Sequence, residues 1–305
     1  MRADKYYSNF VTGTFQGCRE RFGAARDAAG RLAVQEWRMQ DKIILIAHFD
    51  AAGKLTADWR RLIARLKTED FAELVLISTG IDASAYRESL QGVRVIEREN
   101  IGYDFYSWRQ AIVEPAFEAH REAILINNSF YVADAAKFCA ALRAPLPGDV
   151  HFRSLTVSWE RAFHAQSYFL QFSGEAIRSE VFGRFWRQMR PLSDRAAVIE
   201  HYELGLSREL GREFRVGSTF EVGPYEKFLM LRRGLKNSSW VNAANLDEGY
   251  ERAKTFMNPS LMLWDCLLQV YGIVKKQLVH QNPLNWPIDE LKQFVFSCIL
   301  EEPAP

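Results

Sequence analysis

GVRVIERENIGYDFYSWRQAI, residues Gly92 to Ile112, is the stretch whose reading decides the fold. Its first part, GVRVIERE, has the β-branched, apolar character of a strand, and YSWRQAI has helical spacing. Between them NIGYDF, Asn100 to Phe105, is a tight turn centred on Gly102. A chain passing from strand through such a turn into a helix brings backbone amides and polar side chains to the carboxyl edge of a sheet.

Outward from this unit the same alternation repeats. KIILIAHFD (Lys42 to Asp50) reads as a buried strand and TADWRRLIARLKT as an amphipathic helix. AELVLIST is a second strand, DASAYRESL a helix, GVRVIERE a third strand, YSWRQAIVEPAFEAH a helix, and EAILINNS a fourth strand. Strand and helix alternating at this spacing predict βαβ units, and so an α/β, Rossmann-type, mainly parallel sheet with helices on both faces. Such sheets bind ligands in the crevice outside the carboxyl ends of their strands. Those ends place His48, Asp50, Ser78, Asn100, Gly102, Asp104, Asn127, Asn128 and Ser129 around one crevice. Neither GxGxxG nor GxxxxGK[ST] occurs, which argues against the usual dinucleotide and P-loop sites.

The chain of 305 residues carries 39 basic and 38 acidic side chains, a formal net charge of +1, so no overall field points to nucleic acid. Any anion site is local. Cys18, Cys139, Cys266 and Cys298 are far apart, without CxxC or Cys/His ligand spacing, which predicts reduced thiols rather than zinc or a disulfide framework. The first residues lack a signal-peptide core, and no apolar run approaches the roughly 18 residues of a membrane span. A cytoplasmic protein is the expectation.

After APLPGD the pattern changes. VHFRSLTVSW and HAQSYFLQF read as extended, SEVFGRFWRQM and RAAVIEHYELGLSREL as helical, and the chain beyond Tyr225 as mostly helical with Asn/Pro breaks. The expected organisation is a helical extension over 1–40, a binding domain over 41–224, and a mostly helical C-terminal segment over 225–305 that completes the same crevice.

At this point a resemblance enters. ILIAHFDAAGKL, VLISTG, RENIGYDFYSWRQAI, ILINNSFY, HAQSYFLQF, FWRQM, YELGLSREL and NPSLMLWDCLLQVYGIVKKQLV occur in an order that resembles the rhamnan synthesis F family of bacterial polysaccharide glycosyltransferases. The resemblance covers about Asp41 to Pro283. It implies a GT-A-like enzyme moving a deoxysugar, rhamnose by the family's name, from dTDP-L-rhamnose or GDP-D-rhamnose to a hydroxyl of a growing cell-surface glycan. It also implies an acceptor built on a lipid carrier, and hence peripheral work at the inner face of the cytoplasmic membrane.

Asn100, Gly102 and Asp104 match the family's Asn-x-Gly-x-Asp, with Asp104 placed to accept a ribose or sugar hydroxyl. Its alternative is a helix cap. Where GT-A enzymes usually carry a DxD-type motif, this chain has Asn127, Asn128 and Ser129, without a carboxylate. Neutral amides hold Mg²⁺ poorly. No cofactor is firmly predicted, and Mg²⁺ or Mn²⁺ held through Asp104 or Asp134 stays an open alternative. Without a metal, the leaving diphosphate needs a cation. Arg109, one turn into the helix, and Lys275, at a basic position of the family, are the candidates, each also readable as a surface charge.

An acceptor hydroxyl loses a proton as it attacks, which calls for a positioned base. Glu203 is the first candidate and His164 the second, with a helix-surface charge the alternative for Glu203. Gln166 and Ser167 are candidates for sugar contact or for a hydrogen-bond network in the sheet. Trp108 and Trp264, with Asn258 and Asp265 beside the latter, are the candidate sugar platforms, against core packing for most aromatics. Two other functions remain: a weakened glycosyltransferase-like module that only binds glycan or nucleotide-sugar, and a nucleotide-sugar hydrolase. YEKFLMLRRGLKNSSW, Tyr225 to Trp240, has the composition of an interfacial helix drawn to anionic lipid, or of a helix packed on the core with a basic outer face.

Overall fold

The apolar run IILIA forms the middle of β1, Lys42–Phe49, in the interior of a seven-stranded sheet. The computed structural model describes residues 42–69, 73–235, 242 and 244–300, with the side chain of residue 299 excepted. The expected extension over 1–40 and Cys18 lie outside the described residues. All described residues fall within one unit, Met39–Pro305.

β2 (Glu73–Thr79) and β4 (Glu122–Asn127) flank β1, both parallel to it, and β3 (Arg94–Glu97) pairs parallel with β2. β9 (Phe169–Ser173) runs antiparallel to β4 and to β6 (Phe152–Ser154), and β10 (Val216–Ser218) lies parallel to β6. The order β10-β6-β9-β4-β1-β2-β3 makes one continuous, mainly parallel sheet from both halves of the chain.

Strand parity divides the core. Ile43, Leu45 and Ala47 of β1 join Val75, Ile77, Ala123 and Leu125 in one cluster. Helices Tyr103–Ile112 and Glu180–Gln188 cover that cluster through Phe105, Trp108, Phe182 and Trp186. Ile44 and Ile46 alternate to the opposite face and are also fully buried. Off that side, Trp59 of helix Ala57–Lys67 donates its indole N–H to the Phe130 carbonyl, and Phe138 of helix Ala135–Arg143 packs on Phe130. Each buried Ile or Leu contributes about 1.5–3 kcal/mol.

Two elements differ from the sequence reading. DASAYRESL forms only a 3₁₀ turn, Ala83–Tyr86, because Asp82 accepts both the N–H and the hydroxyl of Ser84 and closes a local turn. The helix after NIGYD stops at Ile112, and Pro115 opens a separate 3₁₀ turn, Pro115–Ala119. Cys139 and Cys266 are buried and Cys298 is half-buried, and none of the three is in a disulfide.

One short ladder matters more than its length. β5 (Phe130–Val132) continues from the end of β4 and pairs antiparallel with β11 (Ile273–Lys275), setting Lys275 opposite Phe130. The buried carboxylate of Asp58 accepts the Val132 N–H at 3.0 Å and holds this ladder on helix Ala57–Lys67. A residue from the C-terminal part of the chain thereby reaches the carboxyl ends of the central strands.

Candidate active site

Gly102 is the turn residue that the strand-to-helix passage requires. Its φ is +73°, and a Cβ there would sit 2.6 Å from Tyr106 Cβ and 3.0 Å from Pro191 Cα. The turn is fastened by Arg98, which donates to Ser107 Oγ at 2.6 Å and to the Ile101 carbonyl, and lies over the Tyr106 ring. Gly102→Ala is therefore expected to cost about 1–3 kcal/mol, from the left-handed backbone and the crowding together. The check is the midpoint of chemical denaturation; an unchanged midpoint would remove the strain from the account.

Directly after this turn, Asp104 lies in the first turn of helix Tyr103–Ile112 and faces the end of β4. Asn127 Nδ2 donates to Asp104 Oδ2 at 2.8 Å. Ser129 Oγ donates to Asn127 Oδ1 at 2.6 Å, and Lys275 Nζ donates to Ser129 Oγ at 2.8 Å. Four residues from three separate regions of the chain thus form one hydrogen-bonded run from ammonium to carboxylate. The Lys275 ammonium also rests 4.4 Å above the ring of buried Tyr168.

Glu203 completes the group. It ends a π-helical turn, Ile199–Glu203, a local irregularity often found at functional sites. The Ser167 N–H and hydroxyl both donate to Glu203 Oε1, at 2.8 and 2.9 Å. Oε2 has no hydrogen-bond partner among the described residues.

Burial sets the charge states. It pushes the Asp104 carboxyl up to about 6; Glu203 adds to the rise, while Lys275, Asn127 and Arg195 oppose it. Burial likewise pushes Lys275 down to about 8, against the pull of Glu203 and Asp104. Lys276 is lowered by burial despite Asp58, Asp50 and Asp104. Between those limits, near neutral pH, the crevice holds an ionised Asp104 and a charged Lys275.

The neighbouring strand ends support this group. His48 Nδ1 meets Ser78 Oγ at 3.0 Å, and burial first, then Lys276, pushes the imidazole down to about 4, so it is neutral. Asn128 takes the Phe49 N–H and gives its amide to the Phe49 carbonyl, extending the edge of β1. Asp50 accepts the N–H groups of Ala52 and Lys54 and closes the following turn. Asn100 is exposed in the turn before Gly102.

Several sequence candidates are placed elsewhere. Arg109 donates to the Trp186 and Arg187 carbonyls at 3.1 and 3.4 Å, capping helix Glu180–Gln188 rather than facing the crevice. Five residues beyond Asp104 it points about 140° away around the helix. Trp108 is fully buried with its N–H on the Ile126 carbonyl, so it offers no face to a sugar. Trp264 packs against the core of the C-terminal segment, and Asp265 is taken by a bidentate pair with Arg233 at 2.8 and 2.6 Å. His164 is buried on β8 (His164–Ala165) with Nδ1 on the Ala162 carbonyl. Gln166 accepts the Thr156 hydroxyl and donates to Asn258. It serves a network within the fold.

Lys276, Arg195, Tyr168 and Arg98 were not singled out from the sequence. The KK pair at 275–276 is the available signal for Lys276; Tyr168 and Arg195 are assembled by tertiary contacts, and Arg98 works within its own turn.

A divalent ion does not fit this arrangement. Among the described residues, Asp104 is the one carboxylate hydrogen-bonded to the Asn127–Ser129 edge, and the ammonium on the far side of Ser129 would repel a second cation. Among the described residues, no group of three or more His, Cys, Asp and Glu side chains is arranged to hold a metal.

Comparison with known proteins supplies the context. The chain is 27% identical over 125 residues to uncharacterized protein y4gN of Sinorhizobium fredii, covering 37% of this chain and 31% of that protein. It is 24% identical over 209 residues to virulence protein VirA of Vibrio anguillarum, covering 63% of this chain and 64% of that protein. The chain thus matches less than two-thirds of the length of either relative. Among solved structures, glycosyltransferase GlyE of Streptococcus pneumoniae superposes with a TM-score of 0.46 at 13% identity, over 85% of this chain and 60% of that one. An active-site mutant of LgtC does so with a TM-score of 0.43 at 12% identity, over 86% and 97%. The model of rhamnan synthesis protein F matches residues 74–265, more than half of the chain and all of the Asp104, Asn127, Ser129 and Glu203 cluster. The chain belongs to the rhamnan synthesis protein F family.

Proposed function

We propose that this chain transfers a deoxysugar, rhamnose, from a nucleoside diphosphate donor to a hydroxyl of a growing polysaccharide, with dTDP-L-rhamnose the favoured donor and GDP-D-rhamnose the variant. The observation that carries this reading is the cluster at the strand ends. A carboxylate with one open oxygen, Glu203, stands beside a second carboxylate, Asp104, and a half-buried ammonium, Lys275. The family's description, rhamnan synthesis, supports the choice of sugar.

In this reading the acceptor hydroxyl gives its proton to Glu203 Oε2 as its oxygen bonds to the sugar's anomeric carbon. The bond from that carbon to the diphosphate breaks, and its electron pair stays on the diphosphate oxygen. Asp104 accepts a hydroxyl of the donor and fixes its position. Residues 41–224 supply most of the crevice, and the segment over 225–305 completes it through Lys275 and Lys276.

The acceptor in this reading is a glycan on a lipid carrier, met at the inner membrane face. No described helix is long and apolar enough to cross a membrane. Helix Pro224–Gly234 packs on the core through Leu229, Met230 and Leu231, and its Arg233 and Lys227 are paired with Asp265 and Asp247. Only Arg232 and Phe228 of the quoted basic and apolar residues remain exposed there, and Lys236 lies outside the described residues. Contact with lipid thus rests on fewer groups than the composition suggested.

The test is a panel of nucleotide-sugars offered with a rhamnan fragment as acceptor, with the product read by mass. Addition of a deoxyhexose is the expected result; addition of a hexose alone would replace rhamnose in this reading.

A further inference from the structure

We propose that Lys275 is the resident cation of the diphosphate site, so that nucleoside diphosphate binds and departs without a divalent metal. This rests on the reading of the crevice as a nucleotide-sugar site.

Three observations place the ammonium. The antiparallel ladder of β11 on β5 sets Lys275 opposite Phe130, one residue past Ser129, so backbone pairing and not a flexible loop fixes its origin. Lys276 N–H bonds the Ser129 carbonyl at 2.9 Å and locks the same register from the other side. The ring of Tyr168, held by the Thr156 hydroxyl at 2.7 Å, forms the floor under the ammonium.

The hydrogen bonds also share one direction. Lys275 donates to Ser129, Ser129 donates to Asn127, and Asn127 donates to Asp104. Donors aligned head to tail polarise one another, so the run stabilises a positive Lys275 and a negative Asp104 together. An ammonium has three donors, and Ser129 uses one. The remaining hydrogens are left for the ring beneath and for a ligand in the crevice. Neither Asp104 nor Glu203 comes within ion-pairing distance of Nζ among the described residues, so no carboxylate neutralises it by contact.

A divalent ion beside a diphosphate is ordinarily held by one or two carboxylates together with the phosphates. Among the described residues Asp104 is the one carboxylate hydrogen-bonded to this edge, and a second cation beside Lys275 would be repelled. Lys276 and Arg195 add positive charge at the margins, since both couple to Asp104 or Lys275. The charge that develops on a leaving diphosphate thus meets fixed protein cations.

Titration calorimetry with dTDP, GDP and UDP, on the full chain treated with EDTA and again with Mg²⁺ or Mn²⁺ restored, tests this without any turnover. The expected result is that at least one of them binds in EDTA, with an affinity that changes by less than about twofold when metal is added. Lys275→Met, checked for an unaltered circular dichroism spectrum, is expected to bind about 10- to 100-fold more weakly, with no recovery on adding Mg²⁺. Binding that appears only with Mg²⁺ or Mn²⁺ would overturn the role of Lys275 and leave the nucleotide-sugar reading intact. Wild-type affinity in a folded Lys275→Met would also overturn it. Absence of binding in every wild-type arm would overturn both.

Discussion

Glu203→Gln is expected to lower glycosyl transfer by about 10²–10⁴-fold, the usual contribution of a positioned general base. The substitution keeps an oxygen at the Oε1 position, so Ser167 can still donate both of its hydrogen bonds and the π-helical turn keeps its anchor. What it removes is the capacity of the second atom to take a proton. The loss belongs in kcat, because the base acts as the acceptor hydroxyl is deprotonated; affinity for the nucleoside diphosphate should stay within about twofold. Steady-state kinetics with saturating donor, together with calorimetry, separates the two. A variant with unchanged kcat would assign Glu203 to structure only, as a clamp on the Ser167 backbone.

Asp104→Asn should show opposite effects on stability and on activity. Burial and the nearby Glu203 raise the Asp104 carboxyl from 3.8 to about 6, so the folded state holds the proton more tightly than the unfolded state. The sign follows from linkage: that contribution favours the fold below about pH 4 and is lost as pH rises through 6. At neutral pH the ionised side chain costs stability, and a neutral isostere should recover about 1–3 kcal/mol. Asn keeps an acceptor for the Asn127 amide. Transfer should nevertheless fall by at least about tenfold, because a donor hydroxyl loses its charged acceptor. The pH–rate profile adds a second reading. Wild type should lose rate below pH 6 as Asp104 protonates and above pH 8 as Lys275 discharges. The Asn variant should lack the acid limb attributed to Asp104. A destabilised Asp104→Asn with wild-type kinetics would mean that the residue is a helix cap with no part in the chemistry.

The sheet was legible because its strands announce themselves locally. IILIA in β1 and AILI in β4 are continuous apolar runs, and strands buried on both faces have no need of alternation. The turn at Gly102 was legible because only glycine adopts its φ without strain. From there the strand-end rule found Asp104, Asn127 and Ser129. Lys275 came from the family resemblance, and nothing local says that β11 will pair with β5. Arg109 misled because one turn into a helix was equated with proximity, whereas the rotation from residue 104 carries it to the far side. Trp108, four residues on, stays beneath the site but is sealed there by Phe105 and Trp186. DASAYRESL, which holds the short 3₁₀ turn at Ala83–Tyr86, reads as a helix because the competing hydrogen bonds of Asp82 have no periodicity to reveal them. Tyr168 and Arg195 act through contacts between distant segments, which residue spacing does not encode, whereas Arg98 acts within its own turn.

The measurement that bears most directly on the central claim is release of nucleoside diphosphate from dTDP-L-rhamnose by the purified chain, followed with and without a glycan acceptor. The account predicts release that depends on the acceptor, matches the sugar gained by it mole for mole, and falls to near background in Glu203→Gln. Release at the same rate without acceptor would mean that water is the nucleophile and the protein a hydrolase. Tight donor binding with no release in either arm would contradict transfer and leave a binding module.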